Sequence, residues 1–450
     1  MPKATAAKNA TLDTSIQTLG PAKIPSHLNY CRFIDQDASL ELRLTEEEAD
    51  LADWAGKPML FEKAGPRGKL YFDSSKVKCA IVTCGGLCPG INDVIRAVVM
   101  DAYHHYRVAS VIGIRYGLQG FIPKYGHDIV ELTPKNVSNF HVFGGTELGS
   151  SRGPQAADEI VDALERMNVG VLFMIGGDGT MKAAANIVKE IRARNSRISV
   201  IGIPKTIDND INFVGQSFGF DTAVEKATEA IACAHVEAVG AYNGIGIVKL
   251  MGRESGFIAA QATLALKEVN FVLVPESPFC LEGPGGLLDQ LENRLRTRHH
   301  AVIVVAEGAG QHLCEASGRT DASGNPVLCD ICSILMARIK EHFKSRSMEA
   351  TIKFIDPSYI IRSVPANAND RVYCGFLGQN AVHAAMAGKT GMVVSRLQSR
   401  FVHVPLELVT MARKKLNTDA DYWRAVLEST GQEDMHVHDL PGSPCPGPKE

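Results

Sequence analysis

Val171-Leu-Phe-Met-Ile-Gly-Gly-Asp-Gly-Thr180 is the stretch on which the fold turns. Five apolar residues without a polar interruption read as a strand covered on both faces, as in a parallel sheet, and the glycines behind them turn the chain into a helix starting near Met181. The same succession recurs where Val200-Ile-Gly-Ile203 runs into Pro204-Lys-Thr-Ile-Asp-Asn-Asp210. Upstream lie KCAIVT, a helical stretch over 91–107 and SVIGI; downstream lie IGIVKL, FVLVP and AVIVVAE, set around helical stretches such as 221–238. Within 91–107, Ile91, Val94, Ile95, Val98, Val99, Ala102 and Tyr106 recur at helical spacing and supply one apolar stripe for a sheet. This alternation predicts an α/β protein with two domains.

A length of 450 residues is too great for one core, and 45% hydrophobic against 22% charged residues is ordinary globular composition. Lysine plus arginine number 47 and acids 50, a net charge of −3, so no positive excess is available for nucleic acid or anionic lipid. The stretches Arg294, Arg296, Arg298 and Arg413, Lys414, Lys415 read as solvated helix faces. No run approaches the roughly 18 apolar residues of a membrane span, and the N-terminus lacks an apolar signal core, so a cytoplasmic protein is expected. Eleven cysteines, thinly spread, read as reduced packed thiols rather than a disulfide framework or zinc site. Residues 1–75 form an N-terminal extension, with a short acidic helix expected within 40–54; the Pro/Gly-rich stretch 436–450 is expected to be a mobile tail.

Ligands of such sheets collect where loops leave the carboxyl ends of the strands. Cys84-Gly-Gly-Leu-Cys-Pro-Gly90, Gly176-Gly-Asp-Gly-Thr180 and the 204–210 loop all begin there. In the second of these, Gly177, Gly179 and Thr180 let backbone amides approach phosphate oxygens at a helix N-terminus, and Asp178 is a candidate magnesium ligand. A plain capped turn is the alternative. In the 204–210 loop, Asp208 is a candidate general base, Lys205 a charge stabiliser and Thr206 an acceptor-orienting group, against a self-bonded Asx-rich loop. Arg152, Arg253 and Arg362 offer forks for phosphate oxygens, and Glu307 an acceptor for sugar hydroxyls. The near-match to a P-loop at 383–390 has the wrong polarity: 376–387 reads as a helix ending at Gly388, and Lys389 as a surface residue.

Taken in order, CGGLCPGIND, GGTELGSSRGP, IGGDGT, GIPKTIDND, KLMGRESGFIA and PSYIIRS resemble the phosphofructokinase family, closest to its atypical ATP-dependent branch with plant and trypanosomatid members. The resemblance implies two Rossmann-like three-layer domains with mainly parallel sheets and the active site in the cleft between them. It implies a nucleotide-binding domain over 76–220, completed by about 366–400, and a sugar-phosphate domain over 221–365, completed by about 401–435. It further implies magnesium-dependent transfer of the ATP γ-phosphate to the 1-hydroxyl of fructose 6-phosphate in glycolysis, by a homo-oligomer, commonly a tetramer. Gly86, Arg152 and Gly177 to Thr180 then correspond to the nucleotide site. Asp208 corresponds to the base, with Lys205, Thr206 and Arg253 beside it. Thr206, Ile207, Asp208, Met251, Gly252, Arg253, Glu307, Lys353, Tyr359 and Arg362 correspond to sugar-phosphate contacts. Gly179, where pyrophosphate users carry an aspartate, favours ATP; Lys205 is shared with pyrophosphate users. A pyrophosphate-dependent phosphotransferase and a non-catalytic regulatory subunit are the alternatives.

Overall fold

A strand with helices on both faces must be apolar at every position, and the apolar runs accordingly become the interior strands of two sheets. The computed structural model describes residues 12–29, 32–42, 58–314, 318–320, 324–433 and 435. Five short strands come first: Gln17–Thr18 (β1), Ile24–Pro25 (β2), Ser39–Leu42 (β3), Met59–Glu62 (β4) and Lys69–Leu70 (β5). β3 pairs antiparallel with β4, so the start of the expected acidic helix is a strand. Its remainder, like the tail 436–450, lies outside the described residues.

The first large unit runs Lys78–Thr83 (β6), Ile91–His104 (α1), Ser110–Ile114 (β7), Ile129–Glu131 (β8), Ala157–Arg166 (α2), Val171–Gly176 (β9), Asp178–Ala193 (α3) and Ser199–Pro204 (β10). Phe220–Val239 (α4) leads into the second: Gly244–Leu250 (β11), Phe257–Leu266 (α5), Phe271–Leu273 (β12), Leu287–Arg298 (α6), His300–Ala306 (β13), Ile331–Ser345 (α7) and Thr351–Ile355 (β14). The chain returns through Ile360–Ser363 (α8) and Ala368–Met386 (α9) to Lys389–Thr390 (β15), Met392–Leu397 (β16) and Arg400–Pro405 (β17). Leu406–Met411 (α10) and Asp421–Thr430 (α11) follow.

The seven-stranded sheet has the order β17-β16-β10-β9-β6-β7-β8, with five parallel strands and antiparallel strands at both edges. The four-stranded sheet, β12-β13-β11-β14, is wholly parallel. One core cluster runs from Ile81 and Ile175 through Ala227 and Ile231 to Val248 and Val304, so α4 and α9 join the inner faces of both sheets. The outer face of the large sheet is closed by α2 and α3 on Leu172 and Val200, and that of the small sheet by α6 and α7 on Ile303 and Val305. Each such side chain stabilises the fold by about 1.5–3 kcal/mol.

Three expectations are corrected. Residues 401–405, assigned to the second domain, form β17 in the first sheet, because Val402 and Val404 alternate inward onto the core that also holds Leu406. Lys389 is buried, not on the surface, and its Nζ lies 2.8 Å from Glu62. Cys314 and Cys329 form a disulfide, whereas Cys79, Cys84, Cys88, Cys332 and Cys374 are buried thiols. Among the described residues no helix is long and apolar enough to cross a membrane.

Candidate active site

The ends of three neighbouring strands are level, since Thr83 pairs with Ile175 and Pro204 with Gly176. β6 feeds β7 on one side and the chain then returns to β9 on the other, so the sheet order reverses between β6 and β9, the place where α/β sheets hold ligands. The loops after β6, β9 and β10 therefore open into one cleft of about 630 Å³, lined by residues from all three.

Local packing explains the glycines. A Cβ on Gly176 would sit 2.2 Å from Thr180 Oγ1, so only glycine lets the helix fold back on its own strand. Gly85 and Gly90 have φ of 85° and 98°, the left-handed region that favours glycine. Gly177 caps α3, whose first residue is Asp178. A Cβ on Gly86 would meet Arg152 Nη2 at 3.5 Å and Arg362 Nη1 at 3.7 Å, so two arginines from distant parts of the chain flank the same backbone point. Thr83 Oγ1 and Ser150 Oγ tie the loop carrying Arg152 to the loop after β6, donating to Gly149 O at 2.6 Å and Gly85 O at 2.7 Å.

Lys205 follows β10, is buried, and donates from Nζ to Gly86 O at 2.6 Å; burial pulls its pKa down. Thr206 Oγ1 accepts from Asp208 N at 3.1 Å, and Asp208 O accepts from Ser255 Oγ at 3.1 Å, which fixes the loop against the turn carrying Arg253. Oδ1 of Asp208 is buried with no hydrogen-bond partner. Burial first, then the neighbouring Asp210 and Glu307, push its pKa up, against the pull of Arg413 and Lys205. Asp210 is raised for the same first reason. A carboxylate held in this state accepts a proton readily, as a general base must.

Of the predicted residues, Gly86, Arg152, Gly177, Asp178, Gly179, Thr180, Lys205, Thr206, Ile207, Asp208, Met251, Arg253 and Arg362 line this one cleft. Glu307 is not in that lining but lies within electrostatic reach of Arg253 and Arg362, its pKa raised by burial. Gly252 contributes backbone only, accepting from Gly308 N at 3.1 Å. Two further residues are not in the lining. Lys353, in the middle of β14, pairs with Glu237 at 3.4 Å, and Tyr359 is 75% exposed with Arg362 stacked 4.9 Å from its ring centre.

Sequence reading missed several lining groups. Leu118, Ala157, Ile160, Ala183 and Ile187 give the cleft an apolar slot, with the polar Asn186 also in its lining. Their spacing is that of ordinary core helices, so nothing local marks them. Asp210 lies in a loop already conspicuous for its acids and was the findable one. Arg413 also lines the cleft and corrects the reading of 413–415 as a solvated helix face.

Carboxylates converging on one gap, with cations around it, are the groups phosphoryl transfer uses, and on a doubly wound scaffold they suit a phosphotransferase. Residues 78–385 match the family model described as Phosphofructokinase, and the chain belongs to that family. It is 48% identical to an ATP-dependent 6-phosphofructokinase of Borreliella burgdorferi, over 94% of this chain and 98% of that protein. It is 46% identical to an ATP-dependent 6-phosphofructokinase of Trypanosoma brucei brucei, over 83% and 77% respectively. The fold is shared with a pyrophosphate-dependent phosphofructokinase of Marinobacter aquaeolei, with TM-score 0.65 and 20% identity, over 83% of this chain and 95% of that one.

Proposed function

We propose that this protein is an ATP-dependent 6-phosphofructokinase, which transfers the γ-phosphoryl group of ATP to the 1-hydroxyl of fructose 6-phosphate and releases fructose 1,6-bisphosphate and ADP. The observation that carries this reading is the unpartnered Oδ1 of Asp208, buried and facing the same cleft as Asp178 and Arg152. An unbonded buried carboxylate oxygen is costly unless a ligand supplies its partner, and a sugar hydroxyl does.

In this reading Asp208 takes the 1-hydroxyl proton as the oxygen attacks phosphorus, and the bond to the β-phosphate oxygen breaks. Lys205 and Arg253 meet charge on the transferring group, while Arg362 and Glu307 hold the sugar phosphate. The nucleotide lies over Gly177 to Thr180, its base in the slot of Leu118, Ile160 and Ile187. Among the described residues no three His, Cys, Asp or Glu side chains form a ready metal cage. That fits magnesium, which takes one or two carboxylates and completes its shell with water and phosphate. Asp178 would hold it, with Asp210 nearby, and the ion would neutralise phosphate charge.

The donor is ATP in this reading because a Cβ on Gly179 would meet nothing within 4 Å, so the space an aspartate would take is open. Lys205, buried against Gly86, favours pyrophosphate as the second reading. A homotetramer in the cytoplasm is the assembly and address that go with this function. The test is a coupled assay of the purified chain with fructose 6-phosphate, magnesium and each donor in turn. Turnover with ATP well above that with pyrophosphate is expected; the reverse ranking selects the second reading, and no turnover with either defeats both.

A further inference from the structure

Arg413 lines the cleft from a segment whose backbone is fixed on both sides. Its backbone bridges antiparallel to Ile211, and the next residue, Lys414, donates N–H to Asp210 O at 2.9 Å. The Lys414 ammonium is held by Asn209 Oδ1 at 3.1 Å and Val214 O at 2.8 Å. Two residues further on, Leu416 N donates to Glu276 Oε1 at 2.9 Å, the same oxygen that accepts from Gly256 N at the start of α5. The segment is thus stitched to the loop after β10 on one side and to the small sheet's first helix on the other.

The guanidinium so positioned faces three acids from three separate segments: Glu254 Oε1 at 3.1 Å, Asp178 Oδ2 at 3.6 Å and Asp210 Oδ2 at 3.7 Å. The last two are too long for hydrogen bonds, and no carboxylate is gripped by two parallel N–H groups at the 2.7–2.9 Å typical of an arginine fork. Asp178 keeps a closer partner in Lys182, at 2.8 Å. Five donors on a planar fork, aimed from the cleft wall at the gap between Asp178 and Asp210, are therefore underused.

We infer that Arg413 is a phosphate-binding residue of this cleft, exchanging its loose carboxylate pairings for oxygens of the phosphoryl group that passes between donor and acceptor. The inference rests on the reading of the cleft as an ATP-dependent phosphofructokinase site. Arg413 then supplies a donor to the transferred group while that group, loosely bonded to the attacking and leaving oxygens, spreads charge over its equatorial oxygens.

The test uses the full chain as wild type, R413Q, R413K and R413A, assayed in parallel with fructose 6-phosphate, ATP and magnesium. For R413Q, kcat should fall by about 10²-fold or more, as when one donor to a developing charge is removed. KM for fructose 6-phosphate should stay within roughly threefold, because the sugar-phosphate contacts lie elsewhere. R413K should recover only part of the rate, a point charge being no fork. Added guanidinium ion should speed R413A and leave R413Q unaffected, which a merely structural role would not produce. R413Q turning over within about threefold of wild type would overturn the inference while the cleft reading stands. So would a rate loss in R413A that tracks a lowered Tm and gains nothing from guanidinium. An inactive wild type removes the cleft reading and this inference together.

Discussion

Glu62 on β4 and Asp208 after β10 are both carboxylates taken out of water, and their surroundings move them in opposite directions. Burial raises the pKa of each. At Glu62 it is outweighed by His403 at 3.0 Å and Lys389 at 2.8 Å, which bring the group down to about 2, and Arg67 adds a bond of 2.9 Å. At Asp208 the nearest charges include two more acids, and one oxygen has no partner. Both oxygens of Glu62 are bonded by protein donors, a closed arrangement; Asp208 is open, with one oxygen left for something that arrives. The contrast separates a structural acid from a reactive one without reference to sequence motifs.

The largest effect should come from breaking the closed site. Glu62→Ala leaves Lys389 and the buried Arg67 uncompensated, and chemical denaturation should show a loss of about 3–5 kcal/mol. The group's pKa lies below its ordinary value, so its contribution is full above about pH 4.5 and disappears as pH falls toward about 2. Thermal melts of wild type should decline across that window more steeply than those of Glu62→Gln. A wild type and a Glu62→Gln that decline in parallel would remove Glu62 from this role.

At the open site stability should barely move and rate should. Asp208→Ala is expected to lower kcat by about 10²-fold or more with little change in sugar-phosphate KM, read by steady-state kinetics. Rates within a few-fold of wild type would show that the free oxygen is not the base. The smallest effect is at Gly179→Asp, whose side chain has room and brings a negative charge to the loop on which the nucleotide is proposed to lie. Efficiency with ATP should drop by about tenfold or more, since like charges placed together cost affinity. Unchanged ATP kinetics would contradict the donor argument.

Much of this was legible in the sequence because its signals are local. An unbroken apolar run followed by Gly176-Gly177 states both a buried strand and the turn that leaves it, and the acids of 204–210 exceed what a turn needs. What was not legible depends on partners far along the chain. Lys389 resembles any helix-end lysine until β4 brings Glu62 beside it. Arg413 sits in an unremarkable basic triplet and gains its meaning only from the backbone bridge to Ile211. Lys353, standing where the family often has an arginine reaching phosphate, pairs with Glu237, because strand register, not motif, decides where its ammonium goes.

The order of strands in the large sheet has a consequence for synthesis. β10 finds its outer neighbour only in β16, and the bond from Ser199 Oγ to Lys389 O at this seam spans 190 residues. At roughly 5–20 residues per second, a ribosome needs about 10–40 s to deliver the missing strand. Throughout that interval the nascent protein carries a bare, apolar strand edge in the middle of its principal sheet, open to pairing with the wrong chain.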